Sequence, residues 1–106
     1  MSKYLLQASY SAEGSKGLLK DGGTKRVKAA RTLIESLGGK LETLYFAFGD
    51  TDVVAIVDLP DNATAAAASL TIAGTGALAG TMTVLLTPEE IDQASKKSGT
   101  YTPPGR

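Results

Sequence analysis

Apolar and polar positions along the chain follow two different periods, and each change of period marks a new secondary-structure element. Residues 4–10 largely alternate between apolar and polar side chains, which predicts a β-strand. Residues 24–37 instead place apolar side chains three and four positions apart, which predicts an amphipathic helix. The Gly38-Gly39 pair that follows is typical of a helix that ends in a left-handed cap.

The other segments follow the same two patterns. A short helix is predicted after Ser11, with a break at Gly22-Gly23. Further strands are predicted at residues 40–48, 53–59 and 81–86. One further helix is predicted after Pro60-Asp61-Asn62. A last helix is predicted from the capping box Thr87-Pro88-Glu89-Glu90 to about Lys97. The order β-α-β-β-α-β with an extra C-terminal helix predicts an α+β, ferredoxin-like sandwich. We expect a single domain over residues 1–98 and an extended tail over residues 99–106.

The predicted sheet has apolar residues on both faces. In the third strand, Val53, Ala55 and Val57 occupy one face, and Val54 and Ile56 the other. Strict alternation in the second strand predicts one face of Leu41, Tyr45 and Ala47, and an opposite face of Leu44, Phe46 and Phe48. A monomer would expose one of these apolar faces to water, so we expect a homodimer or larger homo-oligomer that packs through the sheet face.

The amino-acid composition excludes several kinds of catalytic and metal site. The 106 residues include no Cys and no His, which excludes disulfides, thiolate nucleophiles, iron–sulfur clusters and Ser-His-Asp triads. We expect no metal site and no cofactor. The 11 basic residues are balanced by 11 acidic ones, which argues against nucleic-acid binding. Six of the basic residues fall within residues 16–31, where a solvated helix face is the simplest interpretation.

Neither a membrane span nor a secretion signal is predicted. Residues 63–87 carry no charge, but Ala, Gly and Thr dominate them, whereas membrane helices are rich in Leu, Ile, Phe and Val. The N-terminus lacks the basic region, apolar run and cleavage site of a signal peptide. We therefore expect a cytoplasmic protein with no membrane partner.

Three aromatic side chains are candidates for a small-molecule site: Tyr10, Tyr45 and Phe48. A tyrosine among apolar residues can orient a ligand, although it can equally fill an interface with its hydroxyl at the rim. Phe48, together with Tyr45 and Phe46, is expected to line a pocket near the dimer interface.

Two charged side chains complete the candidate ligand-binding set, namely Lys25 and Asp52. Asp52 follows Asp50 in an Asp-x-Asp turn, where a carboxylate can act as an acid or base, or simply stabilise the turn. Lys25 lies on the basic helix beside the double glycine, where an anionic ligand could be received. No residue is assigned a catalytic role.

Six stretches together resemble one protein family over essentially the whole chain. They are Tyr4-Leu5-Leu6, Gly22-Gly23-Thr24-Lys25-Arg26, Leu37-Gly38-Gly39-Lys40-Leu41, Tyr45-Phe46-Ala47-Phe48-Gly49-Asp50, Asp52-Val53-Val54-Ala55-Ile56-Val57 and Leu86-Thr87-Pro88-Glu89-Glu90. This pattern resembles the GYD-domain family of small bacterial and archaeal proteins. The namesake Gly-x-Tyr-Asp stands here as Gly49-Asp50-Thr51-Asp52, with Thr51 in the tyrosine position. The resemblance implies a ferredoxin-like fold of the dimeric α/β-barrel type, and no established activity.

Three functions are compatible with these observations. The first is a small-molecule-binding or ligand-sensing module with an apolar pocket. The second, by analogy with monooxygenases that share the dimeric barrel, is a cofactor-independent enzyme whose acid–base groups would be Asp, Glu, Lys or Tyr. The third is a structural or interaction subunit without a ligand. The first is preferred, and enzymatic activity is left open.

Overall fold

Eight secondary-structure elements follow one another in the computed structural model, which describes all 106 residues. They are β1 (Ser2–Tyr10), α1 (Ala12–Asp21), α2 (Gly23–Ser36), β2 (Lys40–Phe46), β3 (Val53–Leu59), α3 (Asn62–Gly74), β4 (Leu78–Leu85) and α4 (Pro88–Ser95). The strands form one antiparallel sheet in the order β2-β3-β1-β4. The architecture is α+β and compatible with the ferredoxin-like fold expected from the element order.

The core lies between α2, α3 and one face of the sheet, called here the inner face. The inner positions of β3 are almost completely buried; they are Val53, Ala55, Val57 and Leu59. Tyr4 and Ala8 of β1 are buried beside them, and Ile34 packs onto them from α2. The Tyr4 hydroxyl donates a 2.7 Å hydrogen bond to Asn62 Oδ1, so its burial leaves no polar atom without a partner.

The opposite face of the sheet, called here the outer face, is only partly covered. Leu5, Val54 and Ile56 lie on its two central strands and are half-buried. The predicted alternation of β1 and β3 is therefore confirmed, because neighbouring residues point to opposite faces with different burial. Tyr45 of edge strand β2 also faces outward and is 70% exposed.

The predicted alternation in β2 is wrong. The pairing of β2 with β3 shifts between Leu41 and Thr43, which is the mark of a β-bulge. Beyond the bulge the side chains change face, so Leu41, Leu44 and Phe46 all lie on the inner face. Strict alternation had placed Leu41 with Tyr45, which instead points outward.

Element boundaries differ from the predicted ones at several places, including the start of β1, which is Ser2 instead of Tyr4. Strand β2 ends at Phe46 instead of residue 48, α4 ends at Ser95 instead of Lys97, and β4 begins at Leu78 instead of Thr81. The β4 extension pairs Leu78 with Tyr10 and so completes the ladder along β1. The left-handed cap after α2 is confirmed, because Gly38 has φ 80°.

Residues 86–106, called here the C-terminal arm, extend away from the rest of the molecule. Every residue of the arm is exposed except the half-buried Pro103. The radius of gyration is 16.9 Å, and the longest dimension is 57 Å. A compact chain of this length would have a radius of gyration of about 13 Å. The arm includes α4, which makes no extended contact with any other element.

Candidate functional site

A cavity of about 370 Å³ lies between the inner face of the sheet and helices α2 and α3. Its floor comes from all four strands, and its sides come from α2 and from the C-terminal end of α3. The two helices make no extended contact with each other, so the space between them stays open. The volume falls within the range of about 300–1,000 Å³ that is usual for small-molecule sites.

The cavity exists because short side chains occupy positions that would otherwise fill it. Ala8 and Ala55 lie in the floor, and Ala29 and Ala30 face the same space from α2. Leucine or phenylalanine at these positions would close most of the gap, since protein interiors normally pack without voids of this size.

The lining is strongly apolar. Sixteen of its nineteen residues are hydrophobic, and the remaining three are Arg26, Thr71 and Thr75. The two threonine hydroxyls are already used, since each donates a hydrogen bond to a carbonyl oxygen of α3, at 2.8 Å and 2.7 Å. Among the lining residues, Arg26 therefore supplies the charge, and its guanidinium and the Tyr10 hydroxyl supply the uncommitted hydrogen-bond donors.

Arg26 reaches the cavity from the first part of α2, and its side chain is 36% exposed. Its Nη1 lies 3.7 Å from Oδ2 of Asp21, which also has Lys25 Nζ at 3.9 Å from Oδ1. Both separations exceed hydrogen-bond length, so the guanidinium keeps most of its donors available. Residues 26, 30 and 33 form one helical stripe, and this spacing is the sequence signal that could have placed Arg26 at the cavity.

Tyr10 and Asp52 are brought together, although not as a pair of side chains. The backbone N–H of Tyr10 donates a hydrogen bond to Oδ2 of Asp52 at 2.9 Å. The backbone of Asp52 bonds to Ala8 and Ala47, both at 2.8 Å. Asp52 thus links β1 to the β2–β3 turn, while the Tyr10 ring lines the cavity.

The other three candidate residues lie outside the cavity. Tyr45 is on the outer face, Phe48 follows β2 and is fully exposed, and Lys25 points away from the lining on α2. Of the three aromatic residues expected to line a pocket, Phe46 alone lines this cavity, because the bulge in β2 turns it inward. A ligand-binding role for Lys25, Tyr45 and Phe48 stays a prediction.

A separate charged cluster lies at one end of the outer face. Lys3 Nζ donates hydrogen bonds to Glu42 at 2.8 Å and to Asp58 at 2.9 Å, which joins β1, β2 and β3. These bonds, Glu42 first, raise the pKa of Lys3 above its usual value. No three acidic side chains lie close enough together to hold a metal ion.

The match to a family model spans residues 4–95 and is described as the GYD domain. The chain belongs to the GYD-domain family. The match includes all of β2, β3 and β4, β1 from Tyr4 onward, and all of the cavity lining. In this GYD domain Asp52, the last residue of the turn Gly49-Asp50-Thr51-Asp52, accepts a hydrogen bond from the end of β1. Thr51, beside it, is half-buried.

No curated protein and no solved structure matches this GYD domain. None of its helices is long and apolar enough to cross a membrane.

Proposed function

We propose that this GYD domain is a homo-oligomeric small-molecule-binding module whose ligand occupies the cavity between the sheet and α2 and α3. The observation that carries the proposal is the cavity, because a folded chain of this size normally fills such a space with side chains. The lining contains no Asp, Glu, Lys or His, so Tyr10 is its one candidate acid–base group, and this favours retention of a ligand over transfer of a proton.

The lining also defines the ligand's chemistry. An apolar body of moderate size would bury its surface against Leu33, Leu44 and Ile72. A single anionic group at one end would meet the Arg26 guanidinium, whose planar donors suit a carboxylate. We therefore propose an amphipathic organic acid as the ligand class.

The outer face supports the homo-oligomeric part of the proposal. Leu5, Val54 and Ile56 form an apolar centre there, and the Lys3 cluster forms a polar border. An apolar centre with a polar rim is the usual composition of a protein–protein interface. A second copy packed on this face would cover it, as the sequence alone leads one to expect.

Octanoate and 1-octanol, which differ only in the terminal group, provide the test. We expect octanoate to raise the melting temperature of the wild-type protein more than the alcohol does, since only octanoate can pair with Arg26. Arg26→Gln should remove this difference, and Ala30→Leu, which fills the cavity, should weaken the binding of both probes. Arg31→Gln, the same change at an exposed position of α2 outside the lining, is the matched control and should behave as the wild type.

The proposal would be overturned if neither probe stabilised the wild-type protein. It would also be overturned if the Ala30→Leu variant bound both probes unchanged, since the ligand would then lie elsewhere.

A further inference from the structure

Helix α4 is well formed but has nothing to pack against within its own chain. It is eight residues long and begins with a complete capping box, in which Thr87 and Glu90 bond to each other's backbone N–H at 3.1 Å and 3.0 Å. Helices shorter than about 12 residues are marginal in water without tertiary contacts. Ile91 nevertheless is 52% exposed, so packing within this chain does not stabilise α4.

A groove along the outside of α2 offers the complementary surface. It is bounded by α2 and by Phe46 of β2, and it is called here the α2–β2 groove; its lining is Gly23, Thr24, Val27, Lys28, Arg31, Thr32, Glu35 and Phe46. Val27 and Phe46 give it an apolar centre. Gly23 permits the close approach of the ring, since a Cβ there would lie 3.1 Å from Phe46.

The charged residues of α4 and of the groove are complementary: they have the same separation along the sequence and opposite signs. On α4, Ile91 and Ala94 form an apolar stripe with Glu90 near its start and Lys97 just past its end, seven positions later. In the groove, Lys28 and Glu35 are also seven positions apart and have the opposite order of charge. Seven residues of helix span about 10 Å on α2, whereas α4 ends at Ser95, two residues before Lys97.

We propose that α4 of one copy docks in the α2–β2 groove of a second copy of this chain. The two helices then run parallel, with Glu90 facing Lys28 and Lys97 facing Glu35. Ile91 enters the apolar centre formed by Val27 and Phe46. This register puts Ala94 level with Thr32.

The arm cannot reach the same groove in its own chain. Strands β4 and β2 are the opposite edges of the sheet, which separates them by three strand spacings, or about 14 Å. Leu85 and Pro88 are three Cα steps apart, at most about 11 Å, and Ile91 lies about 5 Å further along the helix. The reach of about 16 Å is short of the sheet diagonal from Leu85 to Phe46, about 22 Å. Phe46 is moreover at the far end of the sheet, since it pairs with Val53, whereas Leu85 pairs with Lys3.

Cysteine cross-linking tests the predicted register, and the absence of native Cys removes any competing thiol. Two single variants, Ala94→Cys and Thr32→Cys, would be purified with tags of different mass, mixed and oxidised. Both positions are exposed, so neither change disturbs the core. We expect a disulfide-linked heterodimer, because the two Cα atoms would lie within the few ångströms that a disulfide requires.

Ser15→Cys replaces Thr32→Cys in the matched control, because Ser15 is equally exposed but lies on α1. We expect several-fold less heterodimer with this partner. Lys28→Glu in the Thr32→Cys protein should also lower the yield several-fold, since it places two acidic side chains opposite each other. Equal yields for the Thr32 and Ser15 partners, or no cross-link with either, would overturn the proposal. Because only a cross-link at this register counts, the result does not depend on whether the outer faces also pair.

Discussion

The backbone N–H of Tyr10 donates a hydrogen bond to Oδ2 of Asp52, with an N···O distance of 2.9 Å. This bond joins the last residue of β1 to the turn between β2 and β3, and it gives the family's aspartate a structural role in this chain. Asp52 therefore holds the end of the sheet next to the cavity without lining the cavity itself.

Asp52→Ala should lower the free energy of unfolding by about 1–3 kcal/mol, because the partly buried N–H of Tyr10 would lose its acceptor. Urea denaturation followed by circular dichroism measures this loss. Asp50→Ala is the control, since Asp50 is exposed two residues away and its side chain accepts no hydrogen bond. An Asp52→Ala protein as stable as the Asp50→Ala protein would refute the structural role.

Asp61 should contribute to the pH dependence of stability. Its carboxylate caps α3 by accepting bonds from the Thr64 hydroxyl at 2.7 Å and backbone N–H at 2.8 Å, and these bonds lower the pKa of Asp61. Since the folded-state pKa is the lower one, the carboxylate stabilises the fold above its unfolded pKa. That contribution is lost as the pH falls through the folded pKa.

Asp61→Asn keeps an oxygen acceptor for the cap but removes the titration. We expect the variant to lose less stability than the wild type between about pH 5 and about pH 2, measured by urea denaturation at each pH. Asp92→Asn, which removes an exposed carboxylate from α4, should follow the wild-type curve. Identical slopes for the Asp61→Asn protein and the wild type would contradict the assignment.

Ile56→Glu should weaken self-association if the outer faces of two copies pack together. A carboxylate in the apolar centre of that face would have to be desolvated, so we expect the dimer dissociation constant to rise at least about tenfold. Analytical ultracentrifugation over a concentration series measures it. Ser15→Glu adds the same charge on α1 and should leave the constant unchanged, whereas a monomeric wild-type protein would refute the packing altogether.

The sequence predicts the elements because their signals are local. The alternation of β1 and β3, the break at Gly22 and the cap at Gly38 each depend on residues within one element or its ends. The bulge after Leu41 could not be predicted in this way, because it is defined by hydrogen bonds to β3, far along the chain. One shifted register was enough to put Leu41 on the same face as Leu44 and Phe46.

The cavity was harder still to predict, because it depends on the distance between two helices that make no extended contact with each other. A short side chain such as Ala30 is compatible with close helix packing as well as with an open space. Arg26 could be recognised only by combining its helical stripe with the knowledge that this stripe faces an unfilled region.

Phe46 lies between two sites, since its ring contributes to the cavity on one side and to the α2–β2 groove on the other. If either partner moves the Phe46 ring, a ligand in the cavity and a second chain in the groove would compete or cooperate through that side chain. The two effects would then be equal in size. If self-association changes the ligand affinity by a given factor, the ligand changes the affinity of self-association by the same factor. In this fold, protein concentration would itself act as an effector of ligand binding.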